Sequence, residues 1–505
     1  MERKPLTLEP GHMTLADWRT LWQGSELSLS AQSRKAVQAG ADAVQAVIDS
    51  GRTVYGLNTG FGKLANVRVN DDELRVLQRN LILSHACGTG PALPKPVVRL
   101  LMGLKLASLA RGASGVRPAV TDLLLGMLNA DLYPIIPAKG SVGASGDLAP
   151  LAHLALVLMG DGEVEVDGVR LAGRRALCDV GLEPIDLGPK EGLALINGTQ
   201  ASTAIALHTL FLSERVFKTG LVAGAMSTEG LKGSHAPYME EIHELRGQPG
   251  QIKVAAVMRQ LLAGSEIMRS HTDCDKVQDP YSLRCQPQVM GAVWDLMGQV
   301  ATTLGYEGNA VTDNPLVIDE DTIVSGGNFH AEPVAFAADQ LALALCEIGN
   351  ISERRTAILV DPHMSNLPPF LAREAGLNSG FMIPQVTAAA LCSENKQKSH
   401  PASVDTIPTS ANQEDHVSMA THGAYRLLDM VENTAMVLAV ELMAAAEAIE
   451  HHRPLTSSVH LESAHAALRA RVAPLLSDRL MAPDMEAIRD MVLEGGLTAI
   501  VQGLE

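Results

Sequence analysis

Between Gly140 and Pro150 the chain reads GSVGASGDLAP, two glycines flanking a small Ala144-Ser145 pair. With no side chain on Gly146, its amide nitrogen can fold back toward the Ala144 carbonyl, a conformation strained for any residue that carries a Cβ. Ser145 then sits on a sharply turned backbone. Taken alone, the triplet equally fits a small-residue loop opening a helix at Leu148, with Pro150 near its first turn.

Other residues carry chemistry of their own. Tyr55 lies in the glycine-rich run Val54–Lys63; a phenol of pKa about 10 acts as a base only in a field that favours the phenolate, and a ring packed on the core is the alternative. The run is no phosphate cradle, because it has five residues before Gly62-Lys63 and Leu64 after them, where the Walker pattern needs four and a Ser or Thr. Arg284 suits a carboxylate, which a guanidinium grips with two parallel hydrogen bonds; as a lone Arg it equally fits a solvated loop. Tyr281 and Gln278 share its face if that segment is helical. Asn197 precedes a helix and fits an N-cap. His85 and Glu414 are a titratable imidazole and a carboxylate; on residue type alone Glu414 suits the start of a long helix, where the dipole favours an acid. By composition Phe329 and Met382 read as packing residues. Asp313-Asn314-Pro315 and His330-Ala331-Glu332-Pro333 mark helix boundaries and read as supports.

The elements that must position these residues are mostly helices. Helical periodicity predicts Ala31–Ser50, Asp71–Ala86, Lys95–Arg111 and Pro118–Ala130, then long stripes over Gly198–Leu221, Pro287–Leu304, Glu332–Ile358 and Asn412–His451. Glu163–Leu171 alternates around Asp167-Gly168 and predicts one hairpin. The expectation is an all-α long-helix bundle with a small β-hairpin in its N-terminal part. Three segments are expected: 1–200 carrying the Ala-Ser-Gly loop, 201–455 forming the bundle and 456–505 capping it. No internal repeat is evident.

Composition narrows the function classes. Of 505 residues, 40 are Lys or Arg and 57 Asp or Glu, and the net charge of −17 repels phosphate backbones, so nucleic acid is not an expected partner. Neither a secretory leader nor a membrane span is expected, which predicts a cytoplasmic protein. Six scattered cysteines without a C-x-x-C pair predict free thiols and no zinc site.

The motifs together resemble a known family. GSVGASGDLAPLAH is similar to the signature of the aromatic amino acid ammonia-lyases, most closely their histidine-acting branch. Further segments match in order: Tyr55–Gly62, Leu83–Ala86, Ile196–Thr199, Gln278–Arg284, Asn309–Pro315, Ser325–His330 and Asn412–Ser418. The resemblance implies a fold of the fumarase and aspartase type and a homotetramer whose sites combine segments of different subunits. It implies elimination of ammonia from L-histidine, giving trans-urocanate. It also implies a 4-methylideneimidazol-5-one (MIO) made by cyclisation and dehydration of Ala144-Ser145-Gly146, with no metal and no dissociable cofactor. Tyr55 is then the expected base and Tyr281 lies close to the prosthetic ring. Asn197 bonds the ring or the substrate carboxylate, Phe329 lies against the ring, and Gln278 and Arg284 belong to the site. His85 and Glu414 set the choice of substrate, with Met382 on the pocket wall. The alternatives are a tyrosine or phenylalanine lyase, an aminomutase on the same ring, or a non-catalytic helical scaffold.

Overall fold

The computed structural model describes residues 5–51, 54, 73–271, 277–319 and 321–504. The chain is mostly helical, as its periodicity predicts. Helices Ala31–Asp49, Leu74–His85, Lys95–Leu109 and Pro118–Asn129 lie within a residue or two of the predicted spans where described. Local chemistry sets their ends. Ser30 caps the first of them by accepting from the Ser33 amide, and Pro96 and Pro118 occupy opening positions where no amide hydrogen is needed.

The Asp167-Gly168 hairpin forms between Glu163–Val166 and Val169–Ala172, with both turn residues at positive φ (49° and 79°). It is not alone. Tyr133–Pro134 adds a third strand, and three further two-stranded sheets occur among the described residues, including Leu6–Leu8 parallel to Leu27–Leu29. Strands this short carry too few alternating residues for a period-2 signal.

Two compact units emerge, and they are not the consecutive segments expected. The first gathers 1–208, 301–339 and 401–426, the second 209–300, 340–400 and 427–505. Four of the boundaries fall inside the long helices Gln200–Gly230, Gln286–Gly308, Glu332–Val360 and Ala420–Glu450. Helices of this length outrun any one cluster of packed neighbours, so chain order does not delimit the units.

In the first unit Lys95–Leu109 is buried on every residue from Val97 onward, and the more apolar Leu148–Leu158 is buried on most of its length. Such all-round hydrophobicity marks helices enclosed on all sides. In the second unit the long helices meet closely at Gly220, where an added Cβ would lie 3.4 Å from Met290, 3.5 Å from Ile348 and 3.7 Å from Leu438. Nearby, the buried Arg355 guanidinium forks onto Glu441 at 2.5 and 2.9 Å, and Ser227 donates to the same carboxylate. Glu332–Val360 is long and apolar enough to span a membrane by composition, but 72% of its most apolar window is buried within the protein. The described cysteines Cys87, Cys178, Cys285, Cys346 and Cys392 are free thiols; Cys274 lies outside the described residues.

Candidate active site

The Ala144-Ser145-Gly146 loop is held from three directions. Gly146 has φ +74° and pairs with Gly198 in a parallel bridge, the Asp147 amide donating to the Gly198 carbonyl at 2.7 Å. A Cβ on Gly146 would lie 2.1 Å from that carbonyl oxygen, so only glycine fits. Gly143, at φ +66°, accepts at its carbonyl from Ser418 Oγ (3.0 Å) and the Ala331 amide (3.3 Å). Asp147, fully buried, accepts from the Ser202 amide and hydroxyl (2.7 and 2.8 Å), Ser141 (2.9 Å) and Thr421 (2.5 Å). One carboxylate therefore ties the loop to the first turn of Gln200–Gly230 and to that of Ala420–Glu450. Sequence reading missed its part, and the one available signal was an acid directly after the glycine.

Two side chains address Ser145. Asn197 donates its amide to the Ser145 carbonyl at 2.8 Å, and the Ser145 hydroxyl donates to Glu414 Oε1 at 2.7 Å. Asn197 is no N-cap: it closes the short helix Glu191–Ile196 in an extended conformation, leaving its side chain for the loop. Nor does Glu414 open the long helix, which begins at Ala420. Ser410, Ala411, Asn412 and Met419 all have positive φ, which breaks the periodic stripe at its N-terminal end. Glu414 instead faces Thr409 across a pair of backbone hydrogen bonds, and Thr409 donates to Oε2 at 2.6 Å.

These groups open onto a cavity of about 520 Å³ whose lining includes Ala144, Ser145, Asn197, Phe329, Glu414 and His416. His330 joins them, its Nε2 lying 3.1 Å from His416 Nδ1. One ligand atom each from His330, Glu332 and His416 lie within 4.8 Å of one another at the rim. The Asp313-Asn314-Pro315 support acts as expected. Asn314 accepts from the Gly326 amide and donates to Ser325, shaping the rim, while Asp313 pairs with buried Lys190 at 3.1 Å.

His85 ends Leu74–His85 with Nδ1 bonded to the Leu81 carbonyl at 2.8 Å. Burial lowers its pKa, opposed by that hydrogen bond and by the nearby Glu414 carboxylate. It therefore lies within electrostatic reach of Glu414, although it does not line the cavity.

Four expected site residues belong to the second unit and are absent from this lining. Tyr281 is 70% exposed and Arg284 stacks over its ring at 4.7 Å. Gln278 and Arg284 border a separate cavity of about 410 Å³. Gln278 does not share a helical face with them: the helix covers Tyr281–Arg284 only, because Pro280 holds the chain before it extended. Met382 opens the helix Met382–Lys398, partly exposed. Tyr55 lies outside the described residues.

The aromatic amino acid lyase family model matches residues 13–470. The chain belongs to that family. It is 58% identical over 486 residues to a histidine ammonia-lyase of Paracidovorax citrulli, covering 96% of this chain and 95% of that one. Among solved structures it superposes on a histidine ammonia-lyase from Trypanosoma cruzi with TM-score 0.91 and 37% identity, covering 99% and 96% of the two chains. A tyrosine aminomutase from Streptomyces globisporus fits with TM-score 0.93 and 33% identity over 98% of each chain. The helical fold expected from the periodicity is the fold of these lyases. As an aromatic amino acid lyase, the chain presents Ala144 and Ser145 of its triplet to the cavity just described, with a carboxylate on the Ser145 hydroxyl and a carboxamide on its carbonyl.

Proposed function

We propose that this lyase converts L-histidine to trans-urocanate and ammonia, as a carbon–nitrogen lyase acting on a free amino acid. The observation that carries the reading is Glu414 beside Ser145. A carboxylate within hydrogen-bond reach of the loop hydroxyl suits an imidazole N–H, which an apolar pocket would leave unpaired at a cost of about 1–3 kcal/mol. The 58% identity to a histidine ammonia-lyase supports the same substrate.

The fit of Ala144-Ser145-Gly146 to a methylideneimidazolone rests on Gly146, whose positive φ and closeness to Gly198 exclude a Cβ, and on Asn197, already donating to the Ser145 carbonyl. Such a ring supplies the electrophile for the substrate amine that no ordinary side chain provides. The remaining work belongs to the chain's own residues. Asn197 stabilises negative charge on the Ser145 carbonyl oxygen, a preorganised donor where charge develops. Glu414 orients the imidazole, with His85 adjusting the local charge, and Phe329 and Met382 wall the pocket. Arg284 grips the substrate carboxylate with Gln278 beside it, Tyr281 lies close to the ring, and Tyr55 removes the β-proton. The C–N bond breaks as that proton leaves, releasing ammonia.

We further propose a homotetramer in which another copy supplies the four site residues absent from the cavity lining, Gln278, Tyr281, Arg284 and Met382. The exposure of Tyr281 and the buried Arg284 Nε without a partner among the described residues support this. The cytoplasmic reading is supported by the five free thiols.

The test is near-ultraviolet absorbance of the purified protein with L-histidine, L-tyrosine and L-phenylalanine separately. A urocanate band with histidine alone is expected. A band with tyrosine or phenylalanine instead overturns the substrate. Silence with all three points to an aminomutase or a scaffold.

A further inference from the structure

Beneath the loop lies a charge that the reaction as described does not use. Lys105 sits in the middle of Lys95–Leu109 and is wholly buried. Among the described residues its ammonium donates to two carbonyls, those of Asn197 at 2.7 Å and Ala194 at 3.1 Å. These are carbonyls at the C-terminal end of Glu191–Ile196, which have no helical partner and where a cation is favoured. The next link is already described: the same Asn197 directs its side-chain amide at the Ser145 carbonyl.

Capping those two carbonyls is a structural role that a neutral donor could also fill; an ammonium brings in addition a charge that is costly to take out of water. The neighbouring buried lysine, Lys190, has a carboxylate in contact, Asp313 Oδ2 at 3.1 Å, whereas the contacts of Lys105 are the carbonyls that set the position of Asn197. Burial draws the Lys105 pKa down to about 7; Asp313 and Asp147 pull it back up, and Lys190 adds to the lowering.

We propose that Lys105 is a positioning residue of the reaction: through the Asn197 and Ala194 carbonyls it holds the Asn197 amide on the Ser145 carbonyl and adds positive charge behind it. The proposal rests on the ring and the elimination proposed above. Its effect belongs to the step in which negative charge builds on that oxygen, and so to kcat more than to KM.

The experiment compares wild type with Lys105→Met, Lys105→Arg, Asn197→Ala and the Lys105→Met/Asn197→Ala pair. Intact mass first establishes that each chain has lost its two waters. With L-histidine, Lys105→Met is expected to lower kcat about 10- to 100-fold with KM changed less than about threefold, and Lys105→Arg to recover most of that loss. The double variant is expected to be no slower than Asn197→Ala alone, because the lysine acts through the asparagine. In substrate-free protein the ultraviolet band of the ring should move in Lys105→Met in the direction seen for Asn197→Ala. This readout stands whether or not histidine is the substrate. Unchanged kcat with an unmoved band overturns the proposal. So do fully additive losses, or a kcat loss accounted for entirely by incomplete dehydration. Should Lys105→Met fail to fold, Lys105→Gln, which keeps a donor without the charge, carries the same comparison.

Discussion

Glu414 is pinned between two hydroxyls: Ser145 donates to Oε1 at 2.7 Å and Thr409 to Oε2 at 2.6 Å. The carboxylate is thus fixed in rotamer by Thr409 and aimed at the loop by Ser145, the residue proposed above to become the electrophile. In Glu414→Gln the shape is retained, but the acceptor for an imidazole N–H is weakened. Histidine turnover is expected to fall by about 10- to 100-fold, the range for a hydrogen bond to a charged group. Dehydration of the loop, followed by intact mass, should be complete. Normal turnover of histidine in this variant would remove Glu414 from substrate recognition.

Gly146 makes the sharpest steric prediction. In Gly146→Ala the new methyl would lie 2.1 Å from the Gly198 carbonyl oxygen and 2.4 Å from its carbon, on a backbone at φ +74°. Left-handed conformation alone costs a side chain about 1–2 kcal/mol, and backbone atoms cannot step aside as a side chain would. The variant is expected to keep its full, undehydrated mass and to be inactive. A chain that still lost two waters would mean that the loop tolerates another conformation.

Asp147 holds the loop through four donors, from Ser141, Ser202 (twice) and Thr421. In Asp147→Asn one oxygen becomes an NH2 facing donors. A loss of about 2–4 kcal/mol is expected, read from the urea midpoint at unchanged slope, together with slowed or incomplete dehydration. Stability within about 0.5 kcal/mol of wild type would show that water or rotation of the hydroxyls replaces the bonds.

Acid should destabilise the fold through its partly buried histidines. Burial lowers the pKa of both His85 and His153, and His153 accepts at Nε2 from the Gly88 amide at 3.1 Å, which a protonated ring could not do. With folded values below the unfolded value of about 6.5, the unfolded chain binds more protons in the window between them. Stability therefore rises with pH there and is lost as pH falls through about 6.5 and below. The thermal midpoint is expected to drop between pH 7.5 and 5.5, values chosen to lie about one unit either side of 6.5. In His153→Gln, which cannot take up a proton, the drop should be smaller. Equal drops in the two proteins would assign the acid sensitivity elsewhere.

Much of this was legible in the residues alone. The spans of four helices followed from their periodicity and the hairpin from Asp167-Gly168, because these signals act within a few neighbouring residues. The triplet Ala144-Ser145-Gly146 and the partners Asn197 and Glu414 were singled out by residue type and motif, and the cavity brings Ala144, Ser145, Asn197 and Glu414 together. What sequence could not supply was their geometry. The start of the last long helix at Ala420 depends on a run of positive φ that apolar periodicity does not register. The boundaries of the two compact units depend on which portions of long helices pack together, and that is settled by contacts between distant stretches of chain. The hold of Asp147 on the loop, and the ammonium of Lys105 behind Asn197, join residues tens of positions apart through single hydrogen bonds. Local chemistry decides what a few neighbouring residues do, so the sequence by itself determined the elements and named the reactive loop. Buried polar partners are chosen by which donors and acceptors the fold brings within about 3 Å, so only the tertiary structure decided what holds that loop in place.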